Sequence, residues 1–398
     1  MNVPKLRFKK FTDEWEFLPA EKLFSNINEK NFPNENVLTI IQGKGTVLRT
    51  QSGRDILFDE SRKNTYKKVQ RNDFIIHLRS FEAGLEIANS NGIVSPAYTI
   101  LRNKIPIATM FYRNYFRSNK FINQILRKAV EGIRDGKQIS YSQFKKLPII
   151  YASLDEQKKI ANFLSTVDKK ISNLEDIIIN LEKQKKGLLQ QIFNQELRFK
   201  DENDNNYPDW EKNIEPIKIL SGNMYPTTSY TNKPGILLIQ GLNITPNKLL
   251  LNNCIYISND YNEINHIIVK KGDILLGLNR PIINNQLKIC LFDKDFAYLY
   301  QRAGILSFNK LKINSLFLYQ YLQTDLFKKH LQLELVGSDQ PYIKSNIFNK
   351  IKLTFPCLEE QTKIADFLSA FDRKIDNQKA QLEHWKQIKK GLLQQMFV

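Results

Sequence analysis

Residues 156–193 read EQKKIANFLSTVDKKISNLEDIIINLEKQKKGLLQQIF, and residues 360–397 read EQTKIADFLSAFDRKIDNQKAQLEHWKQIKKGLLQQMF. The two align without a gap at an offset of 204 (360 − 156), and 20 of the 38 paired positions are identical. Each carries apolar residues in alternating steps of four and three. The first seam runs Ile160, Leu164, Val167, Ile171, Leu174, Ile178, Leu181, Leu188 and Ile192. The second runs Ile364, Leu368, Phe371, Ile375, Leu382, Trp385, Leu392 and Met396. This spacing lays one apolar stripe along a helix and is the pattern of coiled-coil packing. A lysine interrupts both seams at the same register, Lys185 and Lys389, and Gln378 stands in the second. Strict 4-3 spacing in both copies predicts two long helices packed on each other rather than two amphipathic helices in separate cores. At about 1.5 Å per residue each would be roughly 57 Å long. Ser153-Leu-Asp-Glu156 reads as a capping box, hydroxyl and carboxylate satisfying opposing free amides. Pro356-Cys357 gives the second helix a weaker cap. Asp155, Glu156, Glu359 and Glu360 sit where a helix dipole favours negative charge.

The repeat is larger than the helix. Leu6-Arg-Phe-Lys9 is followed by Trp15-Glu16, and Leu197-Arg-Phe-Lys200 by Trp210-Glu211. The chain is therefore two tandem copies of an LRFK…WE opening, a globular region and a long helix. In the first globular region Val37–Ile41 reads as a strand, Gln42-Gly-Lys-Gly-Thr46 as a glycine loop and Asp73–Leu78 as a strand. Gly92–Leu101 reads as a turn and strand, and Tyr112–Ala129 as a basic helix. In the second, Ile236–Gln240, Cys254–Ser258, Asp273–Leu276, Ile289–Phe292 and Ala303–Phe308 read as strands, and Ser315–Leu331 as a helix. Lys271-Gly-Asp-Ile-Leu-Leu276 stands where Arg71-Asn-Asp-Phe-Ile-Ile76 stands 200 residues earlier. One α+β fold used twice, with divergent surfaces, accounts for this order. The expected partition is 1–153, a globular domain; 154–195, a helix; 196–357, a second globular domain; and 358–398, a second helix. The whole has an internal pseudo-two-fold repeat and an antiparallel helix pair.

The 398 residues carry a net charge of +18. It is not spread evenly: residues 1–153 hold +12 (26 basic, 14 acidic) and residues 200–357 hold +4, while each helical segment holds +1. An AT-rich genome writes many lysines, but does not force so lopsided a ratio to acidic residues. The excess in the globular regions suits a protein that neutralises phosphates. No run of 18 apolar residues is present, so no membrane span is expected. MNVPKLRFKKF lacks the apolar core of a secretory signal. Cys254, Cys290 and Cys357 lie far apart, which excludes a zinc or disulfide framework and points to a reducing cytoplasm.

Taken together, the near-duplicate EQxKIAxFLS…GLLQQ helices and the repeated LRFK…WE openings resemble the specificity (S) subunit of type I restriction–modification systems. Gly92-Ile-Val-Ser-Pro-Ala-Tyr98, Lys271–Leu276 and Gly337-Ser-Asp-Gln-Pro-Tyr-Ile343 belong to the same pattern. The resemblance covers essentially the whole chain, with Lys137-Gln-Ile139 departing from Gln340-Pro-Tyr-Ile343. It implies two target-recognition domains, each reading one half of a split double-stranded DNA site. It also implies helices that separate them and dock two methyltransferase (M) subunits, with restriction (R) subunits in the full complex. S-adenosylmethionine would sit on the methyltransferase partner, and no cofactor on this chain.

The residues themselves offer no catalytic engine. There is no Asn-Pro-Pro-aromatic or Asp-Pro-Pro-aromatic motif of the amino-methyltransferases; Asn279-Arg-Pro-Ile282 is the nearest and fails. There is no phosphate loop, and the four histidines, His77, His266, His330 and His384, are dispersed. Base reading needs Arg, Lys, Asn, Gln or Ser on presented loops, because these match base-edge donors and acceptors. The candidates are Lys44, Arg49, Arg54, Arg79 and Ser80 in the first head. In the second they are Gln240, Asn243, Asn279, Arg280, Gln301, Arg302 and Gln340. The Gln42–Gly45 loop is equally readable as DNA-facing or as a plain hairpin turn. The competing reading of the chain is a coiled-coil scaffold or regulator whose basic charge is incidental.

Overall fold

The structure is a computed structural model that describes residues 3–53, 60–132, 137–231, 235–252, 254–261 and 265–397. Both seams become helices, Leu154–Phe193 (the central helix, 40 residues) and Leu358–Met396 (the terminal helix, 39 residues). Every seam residue named above is buried or half-buried. No described helix is long and apolar enough to cross a membrane. The chain divides into two compact units, Met1–Asp176 with Lys379–Val398, and Ile177–Gln378. Each unit holds one head, the start of one long helix and the end of the other.

In the first unit the helix segments run antiparallel, since Asp168 pairs with Lys389 (2.6 Å) and Glu175 with Lys386 (2.9 Å). In the second, Lys185 pairs with Asp372 (2.6 Å). The lysine that interrupts each seam therefore faces a carboxylate on the opposing helix, at positions related by the same offset of 204. A cation in an apolar seam is tolerable only with such a partner, and the pairing fixes which turn meets which.

The first head carries a four-stranded antiparallel sheet in the order Phe24–Ile27, Thr99–Asn103, Phe74–Ile76, Glu86–Ile87. Its entry and exit pair as Glu16–Pro19 with Pro148–Tyr151. Val37 bridges Ile93 in parallel. Phe24, Phe74, Phe111, Tyr112, Phe116 and Phe121 fill the core. Phe397, at the end of the terminal helix, inserts its ring 5.3 Å from Phe111 and 5.7 Å from Tyr115.

The second head repeats the order with Lys218–Ser221, Ala303–Ser307, Ile274–Gly277 and Ile289–Leu291. Entry and exit pair as Glu211–Lys212 with Thr354–Phe355. A second sheet is fuller here, with five strands, in which Ile236–Ile239 and Phe296–Leu299 pair in parallel. Phe193 ends the central helix 5.5 Å from Phe317 and 5.2 Å from Tyr321.

Both expected head helices are broken into shorter pieces. Tyr112–Ala129 is instead Thr109–Tyr115, a wide turn at Phe121–Ile125 and a tight one at Leu126–Ala129. Ser315–Leu331 is instead Ser315–Tyr321 and Asp325–Glu334. The cause is a buried hydroxyl at the same place in both. Ser118 accepts the Phe121 N–H (3.2 Å), and Thr324 accepts the Phe327 N–H (3.1 Å). Thr324 also donates to the Tyr321 carbonyl (2.7 Å), so it closes one helix and caps the next.

Candidate nucleic-acid interface

Each head stands on the first turn of a long helix. The Ser153 hydroxyl accepts the Glu156 N–H at 3.4 Å, but the Glu156 carboxylate does not close the capping box. It receives Arg7 Nε (2.7 Å), Arg7 Nη2 (2.8 Å) and Trp15 Nε1 (3.0 Å) instead. Gln157 accepts the Ala108 N–H (2.9 Å) and donates to the Ala152 carbonyl (2.8 Å). Glu360 likewise receives Arg198 twice, at 2.8 Å each, and Gln361 accepts the Asn314 N–H (2.9 Å) and donates to the Pro356 carbonyl (2.9 Å). The Glu-Gln pair thus ties the LRFK arm, the head helix and the long helix together, once per unit. The arms also meet the far helix end alike: Leu6 donates to the Gln395 carbonyl and Leu197 to the Gln191 carbonyl. The tryptophans differ. Four more residues separate Arg198 from Trp210 than Arg7 from Trp15, and Trp210 Nε1 has no partner among the described residues.

In the first head the strand Leu38–Ile41 runs into a turn closed by the Lys44 N–H on the Ile41 carbonyl (2.9 Å). This is hairpin geometry. Gly43 and Gly45 take φ of 84° and 89°, where glycine is favoured. The turn is fastened from beneath. The Gly43 N–H donates to Glu86 (2.7 Å), Arg117 donates to the Gly43 carbonyl (2.9 Å) and pairs with Glu86, and Asn89 donates to the carbonyls of Lys44 and Thr46 (2.8 and 2.9 Å). Glu86 is fully buried, and burial of a carboxylate requires this much bonding. Lys44 is left exposed on a stiff tip. Arg79 is exposed on the turn after Phe74–Ile76. That turn ends at Gly84, whose α-carbon abuts the backbone of Phe116 and Arg117, so Arg117 adjoins both presented turns. His77 Nδ1 accepts the Arg79 N–H (3.3 Å). Burial holds its imidazole below the ordinary value, with nearby Glu86 opposing. Arg49 is half-buried and opens a tight turn. Arg54 lies outside the described residues. Ser80 is a correction: it is fully buried, with its hydroxyl accepting the His77 N–H (2.8 Å), so it belongs to the turn's interior.

In the second head six of the seven candidates come together at one end of the sheets. The Ile239 carbonyl accepts the Tyr300 N–H (2.8 Å), the Arg302 carbonyl accepts the Leu278 N–H (3.0 Å), and the Pro341 carbonyl accepts the Arg280 N–H (2.7 Å). Asn279 bridges Tyr342. Gln240, Asn279, Arg280, Gln301, Arg302 and Gln340 are thereby gathered from four separate loops. Arg280, Arg302 and Gln340 are exposed; Gln240, Asn279 and Gln301 are half-buried. Arg280 and Arg302 take φ of 44° and 67°, uncommon for non-glycine residues. Asn243 is the second correction. At 3% exposed, it accepts the Gln240 N–H (2.8 Å) and donates to the Leu250 carbonyl (3.0 Å), holding the turn from inside.

Sequence reasoning missed the residues under these loops. Glu86 and Arg117 support the first head's turn. In the second, the buried Lys288 donates to the Asn279 carbonyl (3.0 Å), and burial lowers its ammonium pKa. A lone Glu or Lys in an apolar strand was the available signal. Among the described residues no three His, Cys, Asp or Glu side chains are grouped to hold a metal.

A family model described as the type I restriction modification DNA specificity domain matches residues 209–385. The chain is similar to the type I restriction enzyme MjaVIII specificity subunit of Methanocaldococcus jannaschii, with 30% identity covering 98% of this chain and 94% of that protein. It is 28% identical to the putative MjaX specificity subunit of the same organism, over 73% of this chain and 67% of that one. A solved type I restriction–modification S subunit from M. genitalium matches the fold with a TM-score of 0.57 at 16% identity, covering 100% and 99% of the two chains. A chain from a structural study of type I system assembly and conformational transition matches at 0.53 and 15% identity, covering 96% and 97%.

Proposed function

The chain belongs to the family of type I restriction enzyme specificity subunits, and from that premise we propose that it is a bipartite reader of double-stranded DNA. It is a non-catalytic member of its complex. Each head, residues 1–153 and 196–357, reads one half of a split site. The helical segments 154–195 and 358–398 set the gap between halves and dock two methyltransferase subunits, with restriction subunits joining in the full complex. S-adenosylmethionine belongs to the methyltransferase partner. The site of action is the cytoplasm.

One observation supports this reading most. Two heads share a sheet order and a pedestal, yet differ at the turns they present: Gly43-Lys44 and Arg79 in one, Gly241-Leu242 and Asn279-Arg280 in the other. A duplicated frame with dissimilar tips is what two different half-sites require, and most basic contacts around those tips would set register on phosphate. The test is to express the chain with its methyltransferase and map the methylated motif by long-read sequencing. A motif with two specified halves is expected, and exchanging residues 17–152 for another head should alter one half only. Methylation by this chain alone, or a motif indifferent to the exchange, would sink the proposal.

A further inference from the structure

The presented turns of the two heads are built alike and tipped differently. Each follows a strand of the same place in the fold and closes with an i to i+3 bond, Lys44 N–H to the Ile41 carbonyl and Asn243 N–H to the Gln240 carbonyl, both 2.9 Å. In the first head the tip carries a cation. In the second it carries Leu242, 66% exposed. Single exposed leucines are common on protein surfaces, but turn tips favour polar residues, and this tip is held stiffly. Asn243 pins it with two side-chain bonds. Gly241 seats it against the next loop so closely that a β-carbon would lie 2.7 Å from the Arg302 carbonyl oxygen. Leu242 is therefore an apolar side chain fixed beside Arg302 and Gln240, among groups suited to base edges.

In the major groove the one apolar feature that distinguishes a base pair is the thymine 5-methyl group. We propose that Leu242 is a specificity-determining residue that packs on a thymine methyl in the half-site read by the second head; this rests on the two-headed reading above. The experiment uses the complete complex with its methyltransferase. Duplexes carry deoxyuridine in place of one thymidine at a time, which deletes a single methyl group. For the wild-type chain, one position in the second head's half-site is expected to lose about 3- to 5-fold in affinity, the worth of burying one methyl. Leu242→Ala should abolish that sensitivity while discrimination at the other half-site stays intact, which also shows that the variant is folded. The proposal is overturned if no deoxyuridine matters, if that half-site holds no A·T pair, or if the variant responds as the wild type does. Loss of all sequence discrimination by the wild-type complex would instead overturn the two-headed reading.

Discussion

Arg7 and Glu156 stand 149 positions apart and make a two-pronged ion pair in the first unit. Their side chains are 10% and 2% exposed. A buried carboxylate left without its cation carries its desolvation cost uncompensated, typically about 3–5 kcal/mol. Arg7→Ala is therefore expected to lower the unfolding free energy by about 3 kcal/mol, the low end because Trp15 still donates to Glu156. The contrast is Lys200, whose pair with Asp204 is 50% and 84% exposed; Lys200→Ala should change stability by no more than about 0.5 kcal/mol. Urea titration of both variants checks this, and equal effects would show that the clamp holds nothing. Local pattern disclosed half of this contact. Glu156 was visible as a helix-start carboxylate, because caps depend on the next three residues. Arg7 was invisible as its partner, because no short-range pattern joins residues so far apart. Ser80 and Asn243 misled for a related reason. Their types suit base edges and turn interiors equally, and burial, a property of the whole head, decided for the interior.

The long helices were the most legible elements, since a 4-3 seam depends only on spacing within one segment. What spacing left unsaid was the purpose of the two interrupting lysines, which became clear once each faced an aspartate across the seam. Each head helix reads as one unbroken helix for a different reason. Ser118 and Thr324 stand among polar residues, Arg117, Asn119 and Lys120 in one head and Gln323 and Asp325 in the other, that sit equally well in a helix, and their bonds to Phe121 and Phe327 show the breaks. A charge exchange tests the seam. In Lys185→Asp two carboxylates meet across the helices, and stability should fall by about 1 kcal/mol or more. Adding Asp372→Lys should restore most of that loss. Restoration stays incomplete because the Gln320 amide, which donates to Asp372 at 2.7 Å, loses its acceptor. Purely additive effects in the thermal-melt cycle would mean the two residues do not interact.

Across the molecule, charge and spacing bear on function separately. The +18 excess lies mainly in the heads, so duplex affinity should fall steeply with log salt, as it does for any protein that displaces counterions from phosphates. That slope separates a DNA reader from a scaffold, but it says nothing of the gap between half-sites. In the proposed reading the gap belongs to the helices, and the borders of the compact units are then the places to change it. They fall between Asp176 and Ile177 in the central helix and between Gln378 and Lys379 in the terminal one. Seven residues that continue the seam, inserted at both places, leave each unit's own Lys–Asp pair untouched. Two helical turns keep the apolar stripe facing its partner to within about 20°. They add about 10 Å of helix, or about three base pairs of duplex at 3.4 Å each. The methylated motif is then expected to keep both halves and to widen its gap by about three base pairs. The duplex also turns by about 100° over that length, so methylation should slow. The same insertion in one helix alone makes the spacing from Asp168 to Lys185 unequal to that from Asp372 to Lys389, so a continuous helix pair can form only one of the two ion pairs at a time, and it should abolish methylation. Methylome sequencing of cells carrying each variant decides the matter: a widened helix pair that still methylates the original motif, gap unchanged, would mean that something other than these helices measures the DNA.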